Sequence, residues 1–372
     1  MRILEVENKK DLKRFIDFQY SLYKDCKFFV PPLRDDVLNT LTKEKNPAFK
    51  YSDVKIWMVE DRNKILGRIV GIINKKEIEI WKKNIGRFGW VDFVDDFDVS
   101  SLLFSTYEDW LRSNGIFESH GPMGFTDLDP EGMLIEGFGE LGTLPMIYNY
   151  EYYQKHMEKL GYEKDIDWVE FEVMVPKKIP EKILRVNDIV KEKLGITVLE
   201  TKNTKELKKY ALNIFEILNE SYSSLYGFVP LDREQMEMYT NQYFGFINSD
   251  YVKIVVDKDK NPIGFGIAMP SLSKALQRSN GKIFPFGFIH LLWALKFPKK
   301  IDLYLVAVKK EYQDFGVNAL LITEIAKSCI KNKIISAETS GELENNFKIQ
   351  SFWKYFEHRQ HKRRRCFHKY LN

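Results

Sequence analysis

Segments of this chain recur 195–199 positions apart in the same order, and a repeat of that span dictates a fold of two similar halves. Asp11-Leu12-Lys13-Arg14-Phe15 opens a helical pattern that ends before Phe29-Val30-Pro31-Pro32-Leu33-Arg34-Asp35. Glu206-Leu207-Lys208-Lys209-Tyr210 opens another, ending before Phe228-Val229-Pro230-Leu231-Asp232-Arg233-Glu234. One strand pair carries Val54-Lys55-Ile56, a polar turn through Asn63 and then Gly67; its counterpart carries Val252-Lys253-Ile254, Asn261 and Gly264. Amphipathic helices and polar hairpin turns are common singly, so it is the three matches in register that point to duplication.

Each half reads as strand, helix, helix, long hairpin, strand, helix, strand, helix, strand, which is a mixed α/β plan. In the first half the patterns predict a hairpin over Val54 to Ile73, a strand from Trp90 to Val94 and a helix from about Val99 to Leu111. A strand ending at His120-Gly121-Pro122 then leads into a glycine-rich loop, Gly124 to Thr143. A helix from Tyr152 to Leu160 and a strand from Val169 to Val175 close this half. The second half adds an insertion, Ser271 to Lys300. It continues with a strand Leu303 to Val308, a loop Lys309 to Gly316 and a helix Val317 to Lys331, then a strand Ile334 to Thr339. A helix Phe347 to Phe356 and a final strand near Cys366 to Leu371 end the chain. The expected domains are residues 1–176 and 196–372, with 177–195 as linker and Pro176 to Pro180 as an exposed crossing.

Three scattered cysteines, Cys26, Cys329 and Cys366, exclude a disulfide scaffold and a cysteine-built zinc site. Six dispersed histidines give no metal ligand set, so no metal is expected. A balance of 57 basic against 53 acidic residues, net +4, is too even for a dedicated nucleic-acid binder. The basic run Lys362-Arg363-Arg364-Arg365 is expected as a charged edge beside the final strand. The stretch Ile283 to Leu295, broken by Pro285 and His290, is too short for a transmembrane segment. The insertion's Pro285 to Phe297, flanked by Lys282 and Lys296, is expected to pack against the body or a second subunit, as in a homodimer, with a membrane surface or an apolar substrate as the alternatives. The charged start, Met1 to Phe15, does not read as a secretory leader, and a cytoplasmic location is expected.

A strand, loop and helix in succession is where an anion site forms, because the first helical amides are unpaired and the dipole there is positive. The segment Val308-Lys309-Lys310-Glu311-Tyr312-Gln313-Asp314-Phe315-Gly316-Val317-Asn318-Ala319 resembles the coenzyme A loop of the GCN5-related N-acetyltransferases (GNAT). That pattern runs Gln or Arg, two variable residues, Gly, one variable residue, then Gly or Ala. Gln313 and Gly316 fit; Asn318 stands at the small position and Ala319 follows one place late. Glu344-Asn345-Asn346, then an aromatic helix with Trp353, Tyr355 and Phe356, resembles the family's fourth helix, where a tyrosine often protonates the departing thiolate. Trp353 occupies the spacing expected for that tyrosine. In the first half, Gly121-Pro122-Met123, Glu131-Gly132-Met133-Leu134, Tyr148-Asn149 and Gly161-Tyr162 resemble bacterial proteins with two such domains. Its own loop, Asp95-Asp96-Phe97-Asp98-Val99-Ser100-Ser101, lacks glycine, and its aspartates would repel a diphosphate.

The resemblance implies two tandem GNAT-like domains, each a mixed, mostly antiparallel twisted sheet with flanking helices. It implies acetyl-CoA or another acyl-CoA as substrate in the second domain, held by Ala307, Val308, Gln313, Phe315, Gly316, Val317, Asn318, Ala319 and Asn346. Transfer to an amine of a small molecule or peptide is the expected reaction. Glu344, with Glu338 as the other nearby carboxylate, is the expected base and Tyr355 the expected acid. A coenzyme A sensor without turnover, and an aminoacyl-tRNA-dependent transferase of the peptidoglycan-bridge type, are the alternatives.

Overall fold

The computed structural model describes residues 1–201 and 203–371. In chain order its elements are β1 (Arg2–Glu5), α1 (Lys9–Leu22), α2 (Arg34–Thr40), β2 (Ser52–Asp61), β3 (Lys64–Asn74), α3 (Lys75–Trp81), β4 (Ile85–Phe93), α4 (Phe97–Ser113), β5 (Glu118–Gly121), β6 (Met133–Glu136), α5 (Tyr152–Lys159) and β7 (Glu163–Met174). There follow α6 (Glu181–Leu194), β8 (Thr197–Leu199), α7 (Thr204–Lys208), α8 (Ala211–Tyr222), α9 (Arg233–Tyr243), β9 (Val252–Val256), β10 (Pro262–Pro270), α10 (Ser273–Ser279) and α11 (Gly287–Lys296). The last are β11 (Lys300–Val308), α12 (Val317–Lys331), β12 (Ser336–Thr339), β13 (Glu342–Leu343), α13 (Phe347–Trp353) and β14 (His358–Tyr370). Two compact units result: Met1–Val169 with Ser273–Leu291 and His361–Asn372, and Glu170–Leu272 with Leu292–Gln360. They interleave along the chain, whereas the division read from sequence is contiguous.

In the first unit the strand order is β1, β2, β3, β4, β5, β14. Asn8 caps α1 by accepting from the Lys10 and Asp11 amides, and Leu12, Phe15 and Ile16 on one helical face are buried. The β2–β3 hairpin turns through Arg62 and Asn63, both at positive φ, as a two-residue turn between right-twisted strands requires. β4 and β5 run parallel, Ile85 facing Glu118, while the other neighbours are antiparallel. The core joins Phe88, Phe93, Leu103, Phe104, Tyr107 and Tyr162. The last strand comes from the far end of the chain: Phe367 of β14 pairs with Gly121 of β5.

The second unit orders its strands β8, β9, β10, β11, β12, then the Glu170–Met174 end of β7. β11 and β12 are its parallel pair, and Ser336 of β12 faces Met174 of β7 antiparallel. Along the main run of strands, each unit therefore takes five from its own half and one from the other half, with β6 and β13 pairing off that run. α12 packs Val317, Leu320 and Leu321 against Val255, Ile263 and Val308.

One expectation is corrected, and two further segments take their places. The basic run does not flank the final strand but lies inside β14. There Lys362 and Arg364 are buried and Arg363 and Arg365 bind Asp167. Glu181–Leu194, assigned to the linker, is a helix ended by Gly195 at positive φ. Part of the insertion, Ser273–Leu291, belongs to the first unit, where Gln277 donates to the Phe29 carbonyl at 2.9 Å.

Candidate active site

In the second unit, β11 and β12 pair over only four positions, Lys300 with Ser336 through Leu303 with Thr339. The cause is visible on the other side of β11. Ile267 of β10 faces Leu305 and Ala268 faces Leu303, so Tyr304 is an extra residue. A bulge of this kind bends its strand and ends pairing. Beyond it, Tyr304 to Val308 has no strand partner on the β12 side among the described residues. Ser340 fills only the apex of the opening: its amide donates to the Leu303 carbonyl at 3.0 Å and its hydroxyl to that of Tyr304 at 3.0 Å.

The open edge leads to the expected loop. Ala307 and Val308 are buried at the end of β11. The Gln313 side-chain amide donates to the Val308 carbonyl at 2.9 Å, folding the loop back onto its strand. Gly316 precedes α12 with φ +87, and no side chain caps that helix. Its first amides, on Val317, Asn318 and Ala319, are the unpaired donors that suit an anion. Phe315 is exposed, and the Asn318 Oδ1 is buried with no partner. Lys348 of α13 pairs with Asp314 at 2.6 Å, tying the fourth helix to the loop, and Asn346 precedes that helix without a side-chain cap.

Between α12 and α13 an apolar pocket opens over the parallel strands, lined by Ile301, Leu303, Ile322, Ile325, Ala337 and Trp353 among others. Trp353 is buried, and its indole N–H donates to Glu342 Oε1 at 2.9 Å. The other Glu342 oxygen is buried without a partner, and burial pushes this carboxyl up to about 8, against the Trp353 hydrogen bond. Glu342 lies in the sequence between Glu338 and Glu344, the two carboxylates that the local pattern singles out. Only the tertiary packing of Trp353 distinguishes it, and no local sequence signal carries that. Glu338 lies on β12 facing Asp302 in register, Glu344 follows β13 half-buried, and Tyr355 lies just beyond α13 with its ring packed on Phe352 and 44% of its surface exposed.

The first unit repeats the opening and then fills it. Asp92 faces Arg68 and Gly89 faces Val70, so β4 also carries an extra residue, and Trp90 there has φ +42. Here the chain after β5 turns back: the Met123 amide donates to the Phe88 carbonyl at 2.8 Å, and a Cβ on Gly89 would strike the Met123 carbonyl oxygen. Arg87, fully buried, grips Glu77 at 2.7 and 2.8 Å and donates to the Gly124 carbonyl. His120 lies 3.3 Å from Glu77. Burial alone would raise the Glu77 carboxyl, but Arg87 and His120 outweigh it and hold it at about 2. Burial pushes Asp127 and Glu131 up, and Asp129 to about 6. Asp96 caps α4 by accepting from the Asp98 amide.

This twofold arrangement has known counterparts. Protein YghO of Escherichia coli is 30% identical over 98% of this chain and 94% of its own length. The chain belongs to the family of Protein YghO. A second relative, named bacterial ceramide synthase, from Caulobacter vibrioides, is 26% identical over 84% of the chain and 82% of its own length. Among solved structures, a tandem GNAT protein from the clavulanic acid biosynthesis pathway aligns with all of this YghO relative and 98% of itself, at TM-score 0.59 and 10% identity. The fold of the YghO relative described here is thus the tandem GNAT fold. No protein-family model matches the chain.

Proposed function

We propose that the second unit binds an acyl-CoA and transfers its acyl group directly to an amine. The observation that carries this reading is the opening between β11 and β12, with its unpartnered β11 edge running to the uncapped start of α12. A pantetheine arm pairs along such an edge, and a diphosphate suits the amides of Val317 to Ala319. Gln313, Phe315, Gly316 and Asn346 border that path, and Ala307 and Val308 supply its strand.

The amine nitrogen attacks the thioester carbonyl, the carbon–sulfur bond breaks, and the proton lost by nitrogen must reach a base while the thiolate gains one. Glu342 suits the base better than Glu344, since it is buried, holds an unpartnered oxygen and is oriented by Trp353. Tyr355 is the proposed thiolate acid. The relative named for ceramide synthesis supports a long-chain donor and a lipid amine acceptor, because ceramide is the amide of a fatty acid and a long-chain amino alcohol. Trp353 at the family's tyrosine spacing favours, as second reading, a sensor that binds acyl-CoA without turnover.

Thiol release from acetyl-, octanoyl- and palmitoyl-CoA, with short and long amines, tests this. Glu342→Gln is expected to lower turnover about 10²–10⁴-fold with donor affinity retained. Glu344→Gln and Tyr355→Phe measure the other two roles, and Gly316→Val is expected to abolish donor binding, since a β-branched side chain is strained at φ +87 and crowds Val190. Binding without release for every amine would establish the sensor, and unchanged binding in Gly316→Val would refute the loop assignment.

A further inference from the structure

We infer that α11 and the turn before it dock the protein on an anionic lipid bilayer. This goes beyond the acyl-transfer reading, because it rests on a surface outside that site. Phe284 and Phe286 in the turn are 76% and 69% exposed, and Leu292 and Trp293 on α11 are 59% and 65% exposed. Phe288 and Ile289 lie one turn before Leu292 and Trp293 on the same outward face, also exposed, while Gly287 and Leu291 point inward. An apolar stripe of a helix ordinarily faces the core. Here it faces away, and contiguous apolar surface of that kind marks an interaction site.

Charge identifies the occupant. From Ser271 to Lys300 the chain has six basic residues, Lys274, Arg278, Lys282, Lys296, Lys299 and Lys300, and no acidic one. Lys300 is tied to Glu172; the other five make no ion pair among the described residues, and all five are exposed. Lys282 and Lys296 bracket the apolar stretch, Lys296 one turn on from Leu292 and Trp293, and a second copy docked by this face in a two-fold contact would set these cations against themselves. An anionic bilayer complements them and takes the aromatic and leucine side chains into its headgroup boundary, with the lysine heads staying in the aqueous layer. Among the described residues no helix is long and apolar enough to cross a membrane, and a helix lying in the interface plane needs no such length.

The test is co-sedimentation of the full chain with vesicles of phosphatidylglycerol and phosphatidylcholine, against phosphatidylcholine alone, at low and high salt. Binding is expected to need the anionic lipid and to weaken with salt. Leu292→Glu with Trp293→Glu is expected to cut the bound fraction about tenfold or more. A triple Lys282, Lys296, Lys299→Glu variant is expected to lose the lipid-charge dependence with thermal unfolding unchanged, which separates lost docking from lost folding. Absence of vesicle binding by the wild-type chain would overturn the inference. So would a dimer in sedimentation velocity that Leu292→Glu dissolves. Neither result bears on thiol release from soluble short-chain substrates, so the acyl-transfer reading stands or falls separately.

Discussion

The two units start from one plan and end with opposite interiors at the same place. Along their main runs of strands both share one order, a parallel fourth and fifth strand, and an extra residue in the fourth strand where the pair comes apart. In the first unit the chain after β5 fills the opening, Met123 bonding to Phe88, and a buried arginine, histidine and carboxylates lie behind it. In the second, among the described residues only Ser340 enters the apex, and the edge beyond has no strand partner. The bulge makes the opening; the path of the loop after the fifth strand decides whether anything can use it.

The contrast breaks first at Arg87. Truncating it to alanine strands Glu77 in a dry interior and is expected to cost about 3–5 kcal/mol of stability, read by denaturant unfolding. In the second unit Ser340→Ala removes one hydrogen bond, from the hydroxyl to the Tyr304 carbonyl, while the amide bond to Leu303 stays, and it is expected to cost only about 0.5–1.5 kcal/mol.

Acidity separates the units next. The Asp129 carboxyl is raised in the fold from 3.8 to about 6, so its contribution is complete at low pH and is lost as pH rises through about 6. Asp129→Asn, which keeps an acceptor for the Phe125 and Thr126 amides, is expected to flatten that slope in thermal unfolding. Glu342 acts in the same direction, raised from 4.5 to about 8. As a base it must be ionised, so turnover is expected to rise through about pH 8 while stability falls.

The smallest effect belongs to Glu172, held at about 2 by the hydrogen bond from Lys300 and, against burial, that from Arg359. Its contribution is present above 4.5 and fades as pH falls towards 2. Its partners are half exposed, and Glu172→Gln is expected to cost only about 0.2–1 kcal/mol at neutral pH, decreasing with salt.

Local chemistry made much of this readable. The helix Val317–Lys331 falls where the glycine before it and the apolar period place it, and the Asp96 cap is where an aspartate ahead of an amphipathic stretch belongs. The hairpins follow from their turns. The basic run misled because its solution is remote: Arg363 and Arg365 are neutralised by Asp167, almost 200 residues earlier. An alternating pattern fixes which face of a strand is buried but not which strand lies beside it, so the exchange of β7 and β14 left no local trace. Glu342 was hidden for a similar reason, its character coming from an indole that reaches it through the fold.

That exchange also sets an order of events during synthesis. The first half leaves the ribosome with β5 still lacking its neighbour, and the missing strand is made well over 200 residues later, at residues 361–370. The first unit therefore cannot finish folding until that strand has been made, however stable its early helices and hairpin. A ribosome that stops before residue 360 releases a product in which β5 is a bare edge, a template for pairing with other chains.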